Sequence, residues 1–213
     1  MIGDKIHIKP EYTQTAEAIL EASNGHLLAP CVVAIGGESG SGKSVTAVCL
    51  QQVLQNAGIP ASILHQDDYF KLPPKSNHLK RLDSFQWIGP NEVHLDLLNN
   101  HISEYKQGAR QLLKPVVHYQ NNEILMEYQT LEANSVLIVE GTYSLMLQNF
   151  DLGIFMERNY TQTLEQRKMR QREAFDPFIE KVLEREHQFI APLKAHAHIM
   201  VKTDYSIQTL QIL

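Results

Sequence analysis

Short apolar runs alternate with helix-period segments along this chain, and Gly or Pro punctuates most of the boundaries. Cys31-Val32-Val33-Ala34-Ile35 is apolar, partly β-branched and followed at once by glycines, the pattern of a buried parallel strand. Ala61 to His65, Ser135 to Val139 and Leu152 to Met156 repeat that pattern, and Ile199-Met200-Val201 is a last short strand. Helical periodicity covers Pro10 to Gly25, Val45 to Asn56 and Glu92 to Gln107. A long charged helix is predicted from Tyr160 to about Gln188, interrupted at Pro177, and a further helix after Val201. Residues 71–90 read as an irregular loop. Val116 to Tyr119 and Ile124 to Met126, joined through Asn121-Asn122, predict a small hairpin. Strands alternating with helices predict an α/β fold with a doubly wound parallel sheet of about five strands.

Length and composition narrow this only modestly. The chain has 213 residues, 43% of them hydrophobic and 20% charged, enough for one sizeable core. The division expected is an N-terminal extension with a packing helix over residues 1–30, then one domain over 31–213. A net charge of −5 lacks the basic footprint of a general nucleic-acid binder. Cys31 and Cys49 lie in apolar surroundings and suit reduced, buried thiols. No signal pattern or transmembrane-length run is present, so a soluble cytoplasmic protein without membrane or nucleic-acid partners is expected. A homo-oligomer is compatible with all of this.

Gly37-Glu38-Ser39-Gly40-Ser41-Gly42-Lys43-Ser44, with Val45 beginning the helix behind it, matches G-x-x-x-x-G-K-[ST] between a strand and a helix. The glycines let the backbone approach a ligand, and successive N–H groups form an anion nest at a helix N-terminus. Lys43 can reach the outer phosphates of ATP, and Ser44 can ligate Mg²⁺. Ser39 is no nucleophile elbow, because position 41 is Ser rather than Gly. An N-K-x-D base-reading motif and an L-S-G-G signature are absent, which disfavours a switch GTPase and a transport ATPase.

A small-molecule kinase also needs a base and cations. Asp67, after the second strand, is the base candidate, and it can also hold Mg²⁺ through water; Asp68 is the weaker of the pair. Glu140 ends a strand and is a second Mg²⁺-directed acid. Arg167 and Arg170 share a helix face and can neutralise a transferring phosphoryl group. His196 and His198, two apart, would share a strand face, without the companions of a metal site.

Taken together, Gly37 to Ser44, Gln66-Asp67-Asp68-Tyr69-Phe70, Gly89-Pro90, Pro115-Val116, Val139-Glu140-Gly141 and Phe189-Ile190-Ala191-Pro192 resemble the uridine kinase and phosphoribulokinase family of P-loop kinases. The resemblance covers about Val32 to Val201. It implies a parallel core, a hairpin lobe at about 112–130, a lid at about 160–187, and Asp67 as catalytic base. It also implies ATP, Mg²⁺ and a small-molecule acceptor, with a pyrimidine nucleoside the best-matched class. Tyr69, Phe70, Trp87, His118 and Tyr119 are its acceptor-site candidates.

The chain departs from the family's uridine site at two runs. The Phe-Asp-His-Pro run holding ribose is here Trp87-Ile88-Gly89-Pro90, with Asp83 a nearby substitute. The pyrimidine-reading His is here Asn122. A sugar, sugar phosphate or vitamin-like acceptor is therefore the first alternative, and a non-catalytic nucleotide-binding regulatory module the second.

Overall fold

The computed structural model describes residues 8–27, 29–164 and 177–211. Its core is a six-stranded sheet in the order β2-β5-β1-β6-β7-β8, with a separate two-stranded hairpin, β3-β4. The strands are β1 (Cys31–Gly37), β2 (Ala61–His65), β3 (Gln111–His118), β4 (Glu123–Thr130), β5 (Val136–Glu140), β6 (Leu152–Met156), β7 (Ile199–Val201) and β8 (Ile207–Thr209). The helices are α1 (Pro10–Ala22), α2 (Lys43–Asn56), α3 (Pro74–Asp83), α4 (Leu95–Lys106) and α5 (Pro177–Ile190).

Every residue of β1, β5 and β6 is buried, which is why these strands read as continuous apolar runs. Alternation splits them between two layers. Val32, Ala34, Leu137 and Val139 pack with Leu98, Ile102 and Tyr105 of α4. Val33, Ile35, Ile138 and Ile154 pack with α1 and α2 through Ala16, Ile19, Ala47, Leu50 and Leu54. Helices on both faces make the sheet doubly wound, as the pattern predicted. Among the described residues, no helix is long and apolar enough to cross a membrane.

Two predicted elements come out differently. The loop expected over residues 71–90 contains α3. Pro73 and Pro74 open it, and only Asn77 within it is buried, so no apolar stripe advertised it. The helix expected after Val201 is an antiparallel strand, β8. Asp204 Oδ1 accepts the Ser206 N–H and hydroxyl, and Tyr205 takes φ 70°, so the chain turns back there. His196 and His198 share no strand face: they flank the end of a short helical turn and serve separate partners. His196 Nδ1 meets the Leu145 carbonyl at 3.1 Å, and His198 Nδ1 accepts the Gly153 N–H at 2.9 Å.

Cys31 and Cys49 are free and buried, and burial pushes the Cys31 thiol up to about 12. That keeps it protonated and unreactive.

The N-terminal helix is built into the core. Tyr12 packs edge-on to Tyr205 at 4.9 Å, and Arg158 lies over the other end of that stack, 4.6 Å from the Tyr205 ring centroid. Tyr12 also fills the space beside Gly42, where a Cβ would come within 2.8 Å of its ring. Tyr12→Ala is expected to cost about 3 kcal/mol in urea denaturation. A loss under about 1 kcal/mol would mean that α1 is a dispensable appendage.

Candidate active site

Parallel pairing builds the site. Ile35 of β1 and His65 of β2 are both in register with Glu140 of β5. The three strands therefore end at one level, and the crevice lies beyond their carboxyl ends.

Beyond β1 the chain forms the phosphate cradle. Gly37 and Gly42 have φ of 144° and 104°, conformations that a side chain resists. A Cβ on Gly37 would meet Met156 and Ser41. The Thr46 N–H bonds to the Gly42 carbonyl and begins the ladder of α2. Lys43 folds back over the loop and donates to the Glu38 carbonyl at 2.8 Å. The Ser41 hydroxyl is buried without a partner among the described residues, which suits a cradle that meets a ligand. These features fit a bound nucleotide phosphate.

Glu38 reaches the other wall. Its carboxylate accepts the Tyr160 N–H at 2.5 Å and meets His187 Nδ1 of α5 at 2.5 Å. The Thr163 hydroxyl donates to the Ser39 carbonyl at 2.8 Å. Both ends of the segment expected to form the lid are thus tied to the phosphate loop. Arg167 and Arg170 lie outside the described residues.

Glu140 is buried and meets His65 Nδ1 at 2.7 Å. Burial works to raise its pKa. The His65 hydrogen bond and charge, the Lys43 charge and a Ser44 hydrogen bond outweigh burial and hold it below the usual range. Asp67 goes the other way: burial and the Glu140 charge raise it, against Lys43 and His65. Two carboxylates in one crevice with opposed shifts are suited to different tasks. Ser44 and Glu140 offer the hard oxygen donors that suit Mg²⁺.

Asp68 faces away from this group. It pairs with Lys114 of β3 at 2.7 Å and accepts the Val117 N–H at 3.2 Å, so it fastens the hairpin lobe to the core. Gln129 of β4 adds a bond to the Ile63 carbonyl at 2.9 Å.

The acceptor candidates do not all meet. Tyr69, expected in the pocket, is instead a fully buried core residue whose hydroxyl pairs with His101 at 2.7 Å. Asp83 is no ribose acid: it is exposed at the end of α3 and pairs with Lys80 at 3.0 Å. His118 pairs across the hairpin with Glu127 at 2.9 Å. Asn122 accepts the Lys75 N–H at 2.7 Å and so satisfies a donor in the first turn of α3. Phe70 is half-buried and bridges to Val93 through its backbone. Tyr119 is half-buried at the hairpin turn.

Trp87 joins a network that the sequence did not reveal. Its indole N–H donates to Asn77 at 2.8 Å, and Asn77 donates to Glu92 at 2.5 Å. Arg81 binds Glu92 at 2.7 Å and Glu186 of α5 at 2.9 Å. Burial raises Glu186 to about 7, against the pull of the Arg81 charge; Glu92 and Asp67 push it further up, and Lys43 pulls it down. In sequence these residues look like ordinary charges on polar helices.

The profile of the phosphoribulokinase/uridine kinase family matches residues 32–209. The chain belongs to that family. It is a phosphotransferase that acts on a hydroxyl group of a small molecule, and ATP is the donor its family uses.

A uridine kinase from Leuconostoc citreum is 28% identical over 188 residues, covering 82% of this chain and 88% of that protein. The bifunctional alpha-galactosidase/sucrose kinase AgaSK from Mediterraneibacter gnavus is 30% identical over 190 residues. That match covers 83% of this chain but only 20% of the larger protein. The solved structure of a possible uridine kinase from Bacillus stearothermophilus superposes with a TM-score of 0.61 at 18% identity. It covers 89% of this chain and 96% of that one.

Two stability outcomes are expected. Lys114→Met leaves Asp68 as a buried unpaired charge and should cost about 3–5 kcal/mol by urea denaturation. The raised Glu186 means that the folded protein holds a proton the unfolded chain has lost, between the ordinary carboxylate range and about pH 7. Its contribution to stability is fully present below that range and is lost as pH rises through about 7. The urea midpoint of wild type should fall relative to Glu186→Gln over that window, and parallel profiles would contradict the assignment.

Proposed function

We propose that this chain is an ATP- and Mg²⁺-dependent kinase of a sugar or sugar-bearing alcohol. The observation that carries the reading is Asp67 in the same crevice as Lys43 and Glu140, with its pKa raised beside an ionised neighbour. A regulatory nucleotide-binding module needs the phosphate loop but no base.

In this reading the loop amides and Lys43 hold the ATP phosphates. Ser44 and Glu140 would hold Mg²⁺, which when bound would offset charge on the phosphates. Asp67 accepts the proton of the acceptor hydroxyl as the hydroxyl oxygen attacks the terminal phosphorus and the bond from that phosphorus to the bridging oxygen breaks, releasing ADP. Arg167 and Arg170 support the transferring phosphoryl group. The hairpin lobe at about 112–130 and the lid expected at about 160–187, of which 165–176 lie outside the described residues, would flank the acceptor and exclude water in this reading.

Two acceptor classes have support. The departures at Trp87-Ile88-Gly89-Pro90 and the structural employment of Asn122 remove groups a uridine site uses, and the sucrose kinase likeness favours a carbohydrate. The uridine kinase likeness over most of both chains favours a pyrimidine nucleoside. An indole beside an amide and carboxylates suits a sugar ring equally in either.

Mg-ATP consumption against uridine, cytidine, hexoses, sucrose and pantothenate tests the reading. Asp67→Asn should lower kcat by about 10²–10⁴-fold and leave ATP affinity within about threefold. Lys43→Ala should weaken both ATP binding and turnover. Acceptor-independent hydrolysis alone, unchanged in Asp67→Asn, would replace the kinase with the binding module. The acid limb of the wild-type rate profile should lie above the ordinary aspartate pKa of about 4 and vanish in Asp67→Asn.

A further inference from the structure

Among the described residues, the titratable groups that meet around Glu186 include more carboxylates than cations. Asp67, Glu92 and Glu186 stand against Lys43 and Arg81 as the charged groups around Glu186. Lys43 sits at the phosphate cradle, where it donates to the Glu38 carbonyl. Arg81 is already held by two carboxylates, Glu92 at 2.7 Å and Glu186 at 2.9 Å. Glu92 is fully committed: its oxygens also accept the Gly89 N–H at 2.9 Å and the Asn77 amide at 2.5 Å.

Glu186 is not committed in this way. One of its oxygens meets Arg81, and the other has no bonded partner among the described residues. Beside it stands a second group without a partner. The Tyr143 hydroxyl is buried and makes no hydrogen bond among the described residues, and Tyr143 is only 1% exposed. Its charged neighbours are Glu186, Glu92, Arg81 and Asp67. A buried hydroxyl and a half-used carboxylate next to the base ask for hydroxyl groups, which both donate and accept. A phosphate or carboxylate on the acceptor would instead meet Glu186 and Asp67 with no uncommitted cation among the described residues of this network.

We infer that the acceptor is an uncharged polyhydroxy compound, and that Glu186, with Tyr143, selects it by binding hydroxyls next to the one that Asp67 activates. This rests on the kinase reading above. It removes sugar phosphates and carboxylic-acid acceptors from the range that reading allows.

Matched acceptor pairs test this: fructose and fructose 6-phosphate, uridine and its 5′-monophosphate, glycerol and glycerate. Wild type, Glu186→Gln and Glu186→Asp are compared at saturating Mg-ATP, with thermal melts to confirm folding. The neutral member of a pair should have at least about tenfold higher kcat/KM, a gap of about 1.4 kcal/mol. Glu186→Gln should raise KM for the neutral acceptor about tenfold and leave kcat within about threefold, while Glu186→Asp keeps part of the affinity.

Wild-type KM should fall as pH rises through about 7, where Glu186 becomes a full acceptor, and should be flat in Glu186→Gln. A preferred anionic partner in any pair, or an unchanged KM and pH profile in Glu186→Gln, would overturn the inference. If no acceptor turns over, the kinase reading fails. Calorimetry with the same compounds on the complex with a non-hydrolysable ATP analogue then decides the binding site separately. Neutral binding lost in Glu186→Gln keeps it, and no binding of any neutral compound removes it.

Discussion

Glu140 is in register with Ile35 on one side and His65 on the other, so three parallel strands leave the sheet at the same height. The site depends on that alignment. A slip of one residue would turn Glu140 toward the opposite face of the sheet and separate it from Ser44 and Lys43. The apolar runs of β1 and β5 hold the register, because each is buried on both faces and no shifted pairing buries them as well. Chemistry at the strand ends is therefore secured by packing several residues away.

Charge is the second constraint. Asp67 and Glu140 share the crevice, and both cannot be ionised cheaply in a low-dielectric place. The structure separates them by partners. Glu140 has His65, Lys43 and Ser44, and stays ionised; Asp67 is left with the raised pKa that suits a proton acceptor. Asp68, one residue on, belongs to another problem: it is spent on Lys114 and holds the hairpin lobe in place. Adjacent carboxylates thus take a chemical and an architectural role because the turn after β2 directs them to different neighbours.

The walls of the crevice are tied to the phosphate loop and to each other by long-range polar contacts. Glu38 reaches Tyr160 and His187, and Arg81 reaches Glu186. These contacts join the cradle, α3 and α5 to one another. Tyr12 packs against Gly42 from behind and is itself held edge-on by Tyr205.

The local pattern was sufficient for the parallel strands, the phosphate loop, the hairpin and the position of Asp67 and Glu140. Each of these depends on residues close together in sequence: apolar runs, glycines before a lysine, an acid at a strand end. Helix α3 was not legible, because it buries almost nothing and so carries no periodic stripe. The turn into β8 was not legible either, since Asp204 and Ser206 make it by side-chain bonding rather than by Gly or Pro.

Tyr69 looked like a pocket aromatic and became core, and Asn122 looked like a lost base reader and became a partner for the first turn of α3. Arg81, Glu92, Glu186 and Lys114 were silent in sequence. Their roles come from partners 11 to 105 residues away, and no local pattern encodes a contact of that kind. The sequence by itself determined the strands and the phosphate chemistry, through local backbone and burial preferences. Only the tertiary structure decided which charges gather beside Asp67, because that depends on which distant side chains satisfy one another.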